Sequence, residues 1–184
     1  KRRDLLVSYV DGPAKSGAYY ARAYAKEAGT LLDCVVEPSK VSRKLEVESA
    51  SHSALVIVDD FAGTGRTITD GLESFLEPIS AQLQIAGTPV VVILLFATSE
   101  AQDRITKLAS RFSSLRIEVY LGVELGPEAR AFGLDHQGIW KDVDERDRAE
   151  ALCVRLGTGV YKEALGFGSQ SLLIAFPEGC PNNS

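Results

Sequence analysis

The chain has 184 residues, 45% of them hydrophobic and 24% charged, which is typical of a globular protein with its own core. Its net charge of -5 argues against a generic nucleic-acid or membrane-surface binder, which needs a predominantly basic surface. The longest apolar run, residues 90–97, is too short to cross a bilayer, and the sequence carries no signal-peptide pattern. The three cysteines form no C-x-x-C pair, so we expect reduced thiols and a cytoplasmic protein. Because the chain lacks Met, we also expect flanking domains in a longer polypeptide.

The first third of the chain predicts a βαβ unit followed by a loop. Residues 4–10 form an apolar strand pattern, and residues 16–28 follow a helical period with Ser16 as N-cap and Gly29 as the stop signal. Residues 31–36 predict a second strand. Residues 37–53 are polar without a sustained period, which favours a long loop.

The middle of the chain continues the alternation. Residues 54–60 predict a buried strand, and the apolar residues after it define one helix face, interrupted at Pro78 by a kink or a new helix. Residues 88–97 predict a central strand, residues 99–112 a helix and residues 115–121 a fifth strand. We therefore expect an α/β fold with a doubly wound, mainly parallel five-stranded sheet over residues 1–121. Residues 122–184 predict an α+β cap within the same domain, with a helix near residues 144–156 and a strand at residues 171–176.

Two adjacent carboxylates, Asp59 and Asp60, end the buried strand at residues 54–60, and a small-residue turn leads from them into a helix. Parallel sheets place ligands at such strand ends, and a glycine turn before a helix suits a phosphate. A nucleotide P-loop would need Gly at Asp60 and Lys at Arg66, and a dinucleotide fingerprint would need a small residue at Ile68. Both patterns fail, which leaves a ligand with phosphate and hydroxyl groups or, as the plain alternative, an acid pair that caps a helix.

The pattern Asp59-Asp60-x-x-x-Thr64-Gly65-x-Thr67 behind an apolar strand resembles the phosphoribosyl-diphosphate motif of type I phosphoribosyltransferases. The resemblance implies that Asp59 and Asp60 hold the ribose hydroxyls and assist Mg²⁺ binding, mostly through substrate or water. It also implies that the 5′-phosphate is held by Ala62, Gly63, Thr64, Gly65, Arg66 and Thr67.

The stretch of residues 12–17 resembles the pyrophosphate loop of the same family, with the lysine one place early at Lys15. The resemblance implies pyrophosphate contacts from Ala14, Lys15, Ser16 and Gly17, although an ordinary turn explains the same residues. The family also carries a mobile catalytic loop before the acid-pair strand. By that resemblance Lys40 and Lys44 would contact pyrophosphate, and Arg43 would join Lys15 and the acid pair in catalysis, unless the loop is merely solvated.

The C-terminal part carries a polar cluster of Asp135, His136, Trp140 and Asp142. His136 is a candidate acid or base, and Trp140 either stacks on a ligand ring or belongs to a core. Asp142 and Asp144 are expected to cap the following helix. The ending of the chain is similar to phosphoribosyltransferase-like domains of multidomain bacterial conflict and phage-defence proteins.

Together these resemblances imply a phosphoribosyltransferase that uses Mg²⁺ and 5-phosphoribosyl 1-diphosphate and passes the phosphoribosyl group to a nitrogen acceptor. The alternative is a non-catalytic module that senses the same ligand or a nucleotide, or acts as an effector, within a larger defence protein. The sequence does not identify the acceptor.

Overall fold

The computed structural model describes residues 2–12, 15–48, 52–133 and 139–176, and these form an α/β fold. In those ranges the strands are β1 (Leu5–Ser8), β2 (Ala54–Ala62), β3 (Val90–Thr98) and β4 (Ile117–Leu125). The α-helices are α1 (Ser16–Glu27), α2 (Pro38–Glu48), α3 (Arg66–Leu76), α4 (Ser80–Ala86), α5 (Ser99–Arg111) and α6 (Val143–Gly157). Short 3₁₀ helices span Leu32–Cys34, Glu77–Ile79, Pro127–Ala129 and Phe167–Ser169.

The sheet has the order β1-β2-β3-β4. Strands β1 and β2 pair in parallel with Leu5 opposite Ala54, and β2 and β3 pair in parallel with Leu55 opposite Val90. Two contacts show the direction of β4. At the start of β3, Val90 N–H donates to Arg116 O at 2.8 Å, just before β4 begins. Farther along both strands, Gly122 of β4 lies against Leu95 of β3. Because the residue numbers of both contact partners increase in the same direction, β4 runs parallel to β3. The predicted α/β class and parallel sheet are confirmed, with four strands instead of five.

The prediction of a strand at residues 31–36 is wrong, although these residues lie where that strand was expected. Thr30 forms a single parallel bridge with Arg2, and Val35 forms another with Val7, along the edge of β1 that faces away from β2. Between them the 3₁₀ helix Leu32–Cys34 bonds its own backbone, with Cys34 N–H donating to Leu31 O. Amides used in this local turn are not available for a ladder with β1, so no regular strand forms.

The prediction of a loop at residues 37–53 is also wrong, because α2 occupies most of that stretch. Val41 and Leu45, one helical turn apart, are 0% and 2% exposed and belong to the same core as Leu6 of β1. Pro38 begins the helix, where its missing N–H costs nothing. This narrow apolar stripe packs α2 on the sheet, while most of its other residues are polar.

The chain forms two compact units, Lys1–Val123 and Glu124–Ser184. In the first unit, α1 packs on one face of the sheet against β1 and β2, and α2 to α5 contribute to the core on the other face. The helical connections therefore change from one face of the sheet to the other after α1, which follows β1. In a doubly wound sheet such a reversal opens a crevice at the carboxyl ends of the two strands beside it, and this is where the acid pair lies.

In the second unit, α6 begins behind Asp142, whose carboxylate accepts a hydrogen bond from Glu145 N–H at 2.7 Å, as the sequence predicts. The strand predicted at residues 171–176 is wrong. Leu172 forms an isolated antiparallel bridge with Arg130, and the backbone preceding it at Ser169 and Ser171 has φ of 52° and 45°. A left-handed backbone interrupts an extended strand.

Two further observations concern the sequence-based expectations for membranes and thiols. Within the described ranges, every helix is too short or too polar to cross a membrane. Cys34 is buried, and its Sγ donates a hydrogen bond to Arg3 O at 3.8 Å, whereas Cys153 is exposed.

Candidate functional site

The acid pair lies in the last part of β2. Asp59 is 7% exposed, whereas Asp60 is half-buried, and Asp60 N–H donates a hydrogen bond to Asp59 Oδ1 at 3.1 Å. Burial raises the pKa of Asp59 to about 8, and the charge and side-chain hydrogen bonding of Asp60 and the charge of Asp11 raise it in the same direction. Near neutral pH this carboxyl therefore holds a proton for most of the time, and it can donate a hydrogen bond as well as accept one.

The N-terminus of α1 packs directly on the acid pair. Ser16 Oγ donates to Asp60 Oδ1 at 3.0 Å, and a Cβ atom added to Gly17 would lie 3.4 Å from Asp59 Oδ1. The same Cβ would lie 3.2 Å from the Cβ atom of Tyr9, just beyond the end of β1. The absence of a side chain at Gly17 thus allows the backbone of α1 to approach both strand ends closely.

The prediction that Ser16 is the N-cap is wrong, because the helix already includes it and Lys15 is the N-cap residue. No hydrogen bond from the Lys15 side chain caps the helix, and the Lys15 backbone N–H donates to Gly12 O at 3.0 Å. The first turn of α1 therefore offers backbone amides that no side chain caps among the described residues, beside the acid pair. Ala14 lies outside the described residues, and the roles of Lys15, Ser16 and Gly17 toward a ligand stay predictions.

The small-residue turn after β2 is fixed by the neighbouring strand and helix. Ala62 ends β2 and is buried, and Thr98 Oγ1 at the end of β3 donates to Gly63 O at 2.5 Å. Gly65 has φ of 72°, and a Cβ atom there would lie 2.7 Å from Ala101 Cα in α5. Both the left-handed backbone and the close approach require glycine.

Helix α3 begins directly after this turn with Gly65 as its N-cap and no side-chain cap from the described residues. Thr64 Oγ1 lies at the long distance of 3.4 Å from Arg66 N, and Thr67 in the first turn is exposed. The dipole of α3 and its free first-turn amides therefore favour an anion at this end. The predicted turn and helix start are confirmed for Gly63 to Thr67, whereas Ala62 still belongs to β2. Their contact with phosphate stays a prediction.

Sequence reasoning missed the residues that support the turn from outside the motif. Thr98 caps α5 by accepting from Ala101 N–H at 3.2 Å while it donates to Gly63, and Thr69 Oγ1 donates to Gly65 O at 2.7 Å. A signal was present, since Thr98 ends the strand next to β2 and the carboxyl ends of adjacent parallel strands meet at one edge.

The basic residues predicted to act on pyrophosphate lie on a helix rather than on a loop. Lys40, Arg43 and Lys44 are on α2 and line a cavity of about 580 Å³ together with Tyr9. Neither member of the acid pair lines this cavity. The cavity that these three cations line therefore does not include the acid pair, and their contact with pyrophosphate stays a prediction.

In the second unit, Trp140 packs against residues of its own unit. Its Nε1–H donates to Ala131 O at 2.6 Å, and its ring stacks on Phe132 with centroids 5.9 Å apart and planes 10° apart. This arrangement favours the structural interpretation of Trp140 over a ligand-stacking one. Asp135 and His136 lie outside the described residues.

The chain was also compared with known proteins. The model of one protein family, described as PRTase-CE, matches residues 1–184, the whole length of the chain. No curated protein matches the sequence significantly. A match over the full length, together with the parallel α/β fold and the acid-pair motif, establishes the family. The chain belongs to the PRTase-CE family, a phosphoribosyltransferase-type family.

Proposed function

We propose that this domain binds 5-phosphoribosyl 1-diphosphate with Mg²⁺ and transfers the phosphoribosyl group to a nitrogen acceptor, releasing pyrophosphate. The observation that carries the proposal is the contact of Ser16 Oγ with Asp60 Oδ1 at 3.0 Å, which joins the start of α1 to the acid pair. Helix α3 begins a few residues beyond that pair. Two uncapped helix starts beside two carboxylates suit a ligand with an anionic group at each end and hydroxyls between them.

In this proposal the ribose lies on the acid pair. Asp60 accepts hydrogen bonds from the ribose hydroxyls, and Asp59 shares the task with its proton retained near neutral pH. Because a protonated Asp59 leaves the pair with one negative charge instead of two, a highly anionic ligand meets less repulsion. The burial of Asp59 thus supports the binding of a phosphorylated sugar, which two ionised carboxylates would disfavour.

The two phosphate ends would use the two helix starts. The 5′-phosphate lies at Ala62 to Thr67, where the amides of the turn and of α3 point at it and the hydroxyls of Thr64 and Thr67 add donors. The pyrophosphate lies at the start of α1, at Lys15, Ser16 and Gly17. The rigid attachment of the phosphate turn through Gly65 and Thr98 keeps its amides in place before the ligand arrives.

The residues present fit Mg²⁺ held mostly by substrate and water. Among the described residues no group of three His, Cys, Asp or Glu side chains is placed to hold a metal ion. Asp60 supplies a carboxylate beside the protonated Asp59, and Mg²⁺ commonly binds to proteins through one or two carboxylates plus substrate phosphates. When bound, the ion would offset the negative charge of the departing pyrophosphate.

In the reaction, the bond from ribose C1 to the diphosphate oxygen breaks and a bond from C1 to the acceptor nitrogen forms. The bonding pair leaves with pyrophosphate, and the nitrogen loses its proton. The chain contributes by holding the ribose through Asp59 and Asp60 and the leaving group through the start of α1, so that its work is positioning and charge stabilisation.

A non-catalytic sensor or effector module of a larger defence protein is the second candidate. It is favoured by the position of Lys15, which precedes α1, while Ser16 places a hydroxyl rather than an ammonium group against Asp60. A hydroxyl offers less charge to a departing pyrophosphate than an ammonium does. Such a site would bind the ligand well and release pyrophosphate slowly or not at all.

Calorimetry and a pyrophosphate-release assay separate these functions. The full chain is titrated with phosphoribosyl diphosphate and Mg²⁺ and then incubated with a panel of nitrogenous bases. Binding with release supports the transferase, and binding without release with any base supports the sensor. The Asp59→Asn/Asp60→Asn double variant should lose binding, whereas Asp103→Asn on the exposed surface of α5 should keep it. If the double variant binds with undiminished affinity and has the same circular dichroism spectrum as the native chain, the ribose site is rejected.

A further inference from the structure

A cavity of about 580 Å³ lies along the edge of β1 that faces away from β2, between α1 and α2. Four basic side chains line it: Arg22 from α1 and Lys40, Arg43 and Lys44 from α2. Two acidic residues, Asp33 and Glu37, lie at the same cavity. Its lining is therefore basic on a chain whose net charge is -5. Its volume is within the range of pockets that hold small organic ligands.

One wall of the cavity is apolar and aromatic. Tyr9, Ala18, Val35 and Val36 contribute to this wall, and Tyr9 is 4% exposed. Burial raises the pKa of Tyr9, the charge of Glu37 raises it further, and the charges of Arg22 and Lys40 lower it. The charged groups of both helices are thus close enough to act on the Tyr9 phenol, which places the basic side and the aromatic wall around one space.

The two arginines at this cavity retain their capacity to bind an anion. Lys40 forms an ion pair with Glu37 at 2.9 Å, but neither Arg22 nor Arg43 lies within ion-pair distance of a carboxylate in the described part of the chain. A guanidinium group binds phosphate through two parallel hydrogen bonds. An anionic ligand can therefore be held without breaking an existing arginine ion pair.

We propose that this cavity is a second ligand site, which binds a phosphate ester carrying an aromatic ring, of the size of a nucleoside monophosphate. The phosphate lies at Arg22 and Arg43, with Lys40 and Lys44 beside it. The ring lies on the wall formed by Tyr9 and the valines. This site extends the chain's function beyond the phosphoribosyl diphosphate site proposed above. It competes with the predicted roles of Lys40 and Lys44 in pyrophosphate binding and of Arg43 in catalysis, and the experiment separates the two.

The cavity and the acid pair are distinct but share a wall. Tyr9 lines the cavity, and its Cβ atom would lie 3.2 Å from a Cβ atom added to Gly17. The same added atom would lie 3.4 Å from Asp59 Oδ1. Because neither Asp59 nor Asp60 lines the cavity, a ligand bound there need not occupy the acid pair.

The test uses adenosine monophosphate as the probe, titrated by calorimetry into the full chain carrying Asp59→Asn and Asp60→Asn, so that its ribose phosphate cannot use the acid pair. We expect measurable affinity in this background. Adding Arg22→Gln and Arg43→Gln should weaken it at least about tenfold, since both charge-assisted contacts with the phosphate are lost. The matched control adds Arg148→Gln and Arg155→Gln, two exposed arginines of α6, and should leave the affinity unchanged.

Three results would overturn the proposal: absence of binding in the acid-pair background, equal affinity with and without the two cavity arginines, and inorganic phosphate binding as tightly as adenosine monophosphate. A fourth is a loss of phosphoribosyl diphosphate affinity as large as that of the probe when the cavity arginines alone are replaced, because the cations would then serve pyrophosphate. If the acid-pair background does not fold, phenyl phosphate, which has no ribose, replaces the probe on the otherwise native chain. A failure of phosphoribosyl diphosphate to bind would reject the proposed function and leave this measurement intact.

Discussion

Ser16 Oγ and Asp60 Oδ1 lie 3.0 Å apart and join two segments that are separated by 44 residues in the sequence. The first begins α1 after β1, and the second lies near the end of β2. Because Gly17 also packs against Asp59, the start of α1 and the acid pair form one structural unit. A change at either segment is therefore expected to affect the other.

Replacing Ser16 by alanine tests this link. The hydrogen bond is exposed, so its loss should lower the free energy of unfolding by no more than about 1 kcal/mol. The affinity for phosphoribosyl diphosphate, measured by calorimetry, should fall by about three- to tenfold because Asp60 loses the partner that orients it. Ser110→Ala removes a comparable exposed bond, to Thr106 O at 2.9 Å in α5, and should leave the affinity unchanged. Equal affinities in the two variants would contradict a role for Ser16 at the ligand.

Replacing Gly65 by alanine should destabilise the chain by about 2–5 kcal/mol, since the left-handed backbone costs about 1–2 kcal/mol and overpacking about 1–3 kcal/mol more. The added Cβ atom would lie 2.7 Å from Ala101 Cα. The control is Gly87→Ala, where φ is 63° and no heavy atom lies within 4 Å of the added Cβ atom, so only the backbone cost applies. Urea denaturation measures both. Equal losses would show that α5 does not confine the turn.

The stability of the chain should fall as pH rises through the range set by Asp59. Its pKa is raised from 3.8 to about 8 in the folded chain, so between these values the folded state holds a proton that the unfolded state has lost. The folded state is therefore favoured most at the acid end of this window, and this contribution is gone above pH 8.

The variant Asp59→Asn, which stays neutral and keeps an oxygen for Asp60 N–H, should remove that part of the pH dependence. Thermal unfolding at several pH values measures it. The variant should gain in Tm relative to the native chain as pH rises from about 5 to about 8, by several degrees at the upper end, because 1 kcal/mol corresponds to about 2–4 °C at this size. A constant difference across this range would mean that Asp59 is ionised throughout.

Replacing Leu45 by alanine tests whether α2 is a packed helix rather than a mobile loop. Leu45 is 2% exposed, so the change should cost about 2–5 kcal/mol in the free energy of unfolding. Val47→Ala is the control on the same helix, because Val47 is 75% exposed and its loss should cost less than about 0.5 kcal/mol. Similar small effects at both positions in urea denaturation would favour a loop.

Local patterns predicted most of the first unit. The apolar runs that became β1, β2 and β3 are continuous in the sequence, and the face of α3 repeats at helical spacing. Helix α2 was missed because Val41 and Leu45 are its buried residues among a polar majority, too few to produce a visible period. The strand at residues 31–36 was overpredicted because an apolar run does not reveal that its amides bond locally in a 3₁₀ turn.

In the candidate site, too, contiguous features were predicted from the sequence and contacts between distant segments were not. The acid pair and the turn after it are contiguous, so their order and spacing were sufficient to predict them. The contacts that hold them are between distant segments: Ser16 with Asp60 across 44 residues and Thr98 with Gly63 across 35. Neither hydroxyl belongs to a pattern with its partner. Only the parallel register of β1, β2 and β3 brings these strand ends to one edge.

The close packing of Gly65 on Ala101 gives the turn after β2 a second point of control outside the proposed ligand site. Because Gly65 and Ala101 are in close contact, a larger side chain at either position must displace the backbone of the other residue. During divergence they are therefore constrained jointly, and a gain in size at position 101 would alter the turn from behind, with every ligand-facing group unchanged. Under the proposed function, we therefore expect ligand affinity to depend on the volume of the side chain at position 101 in α5.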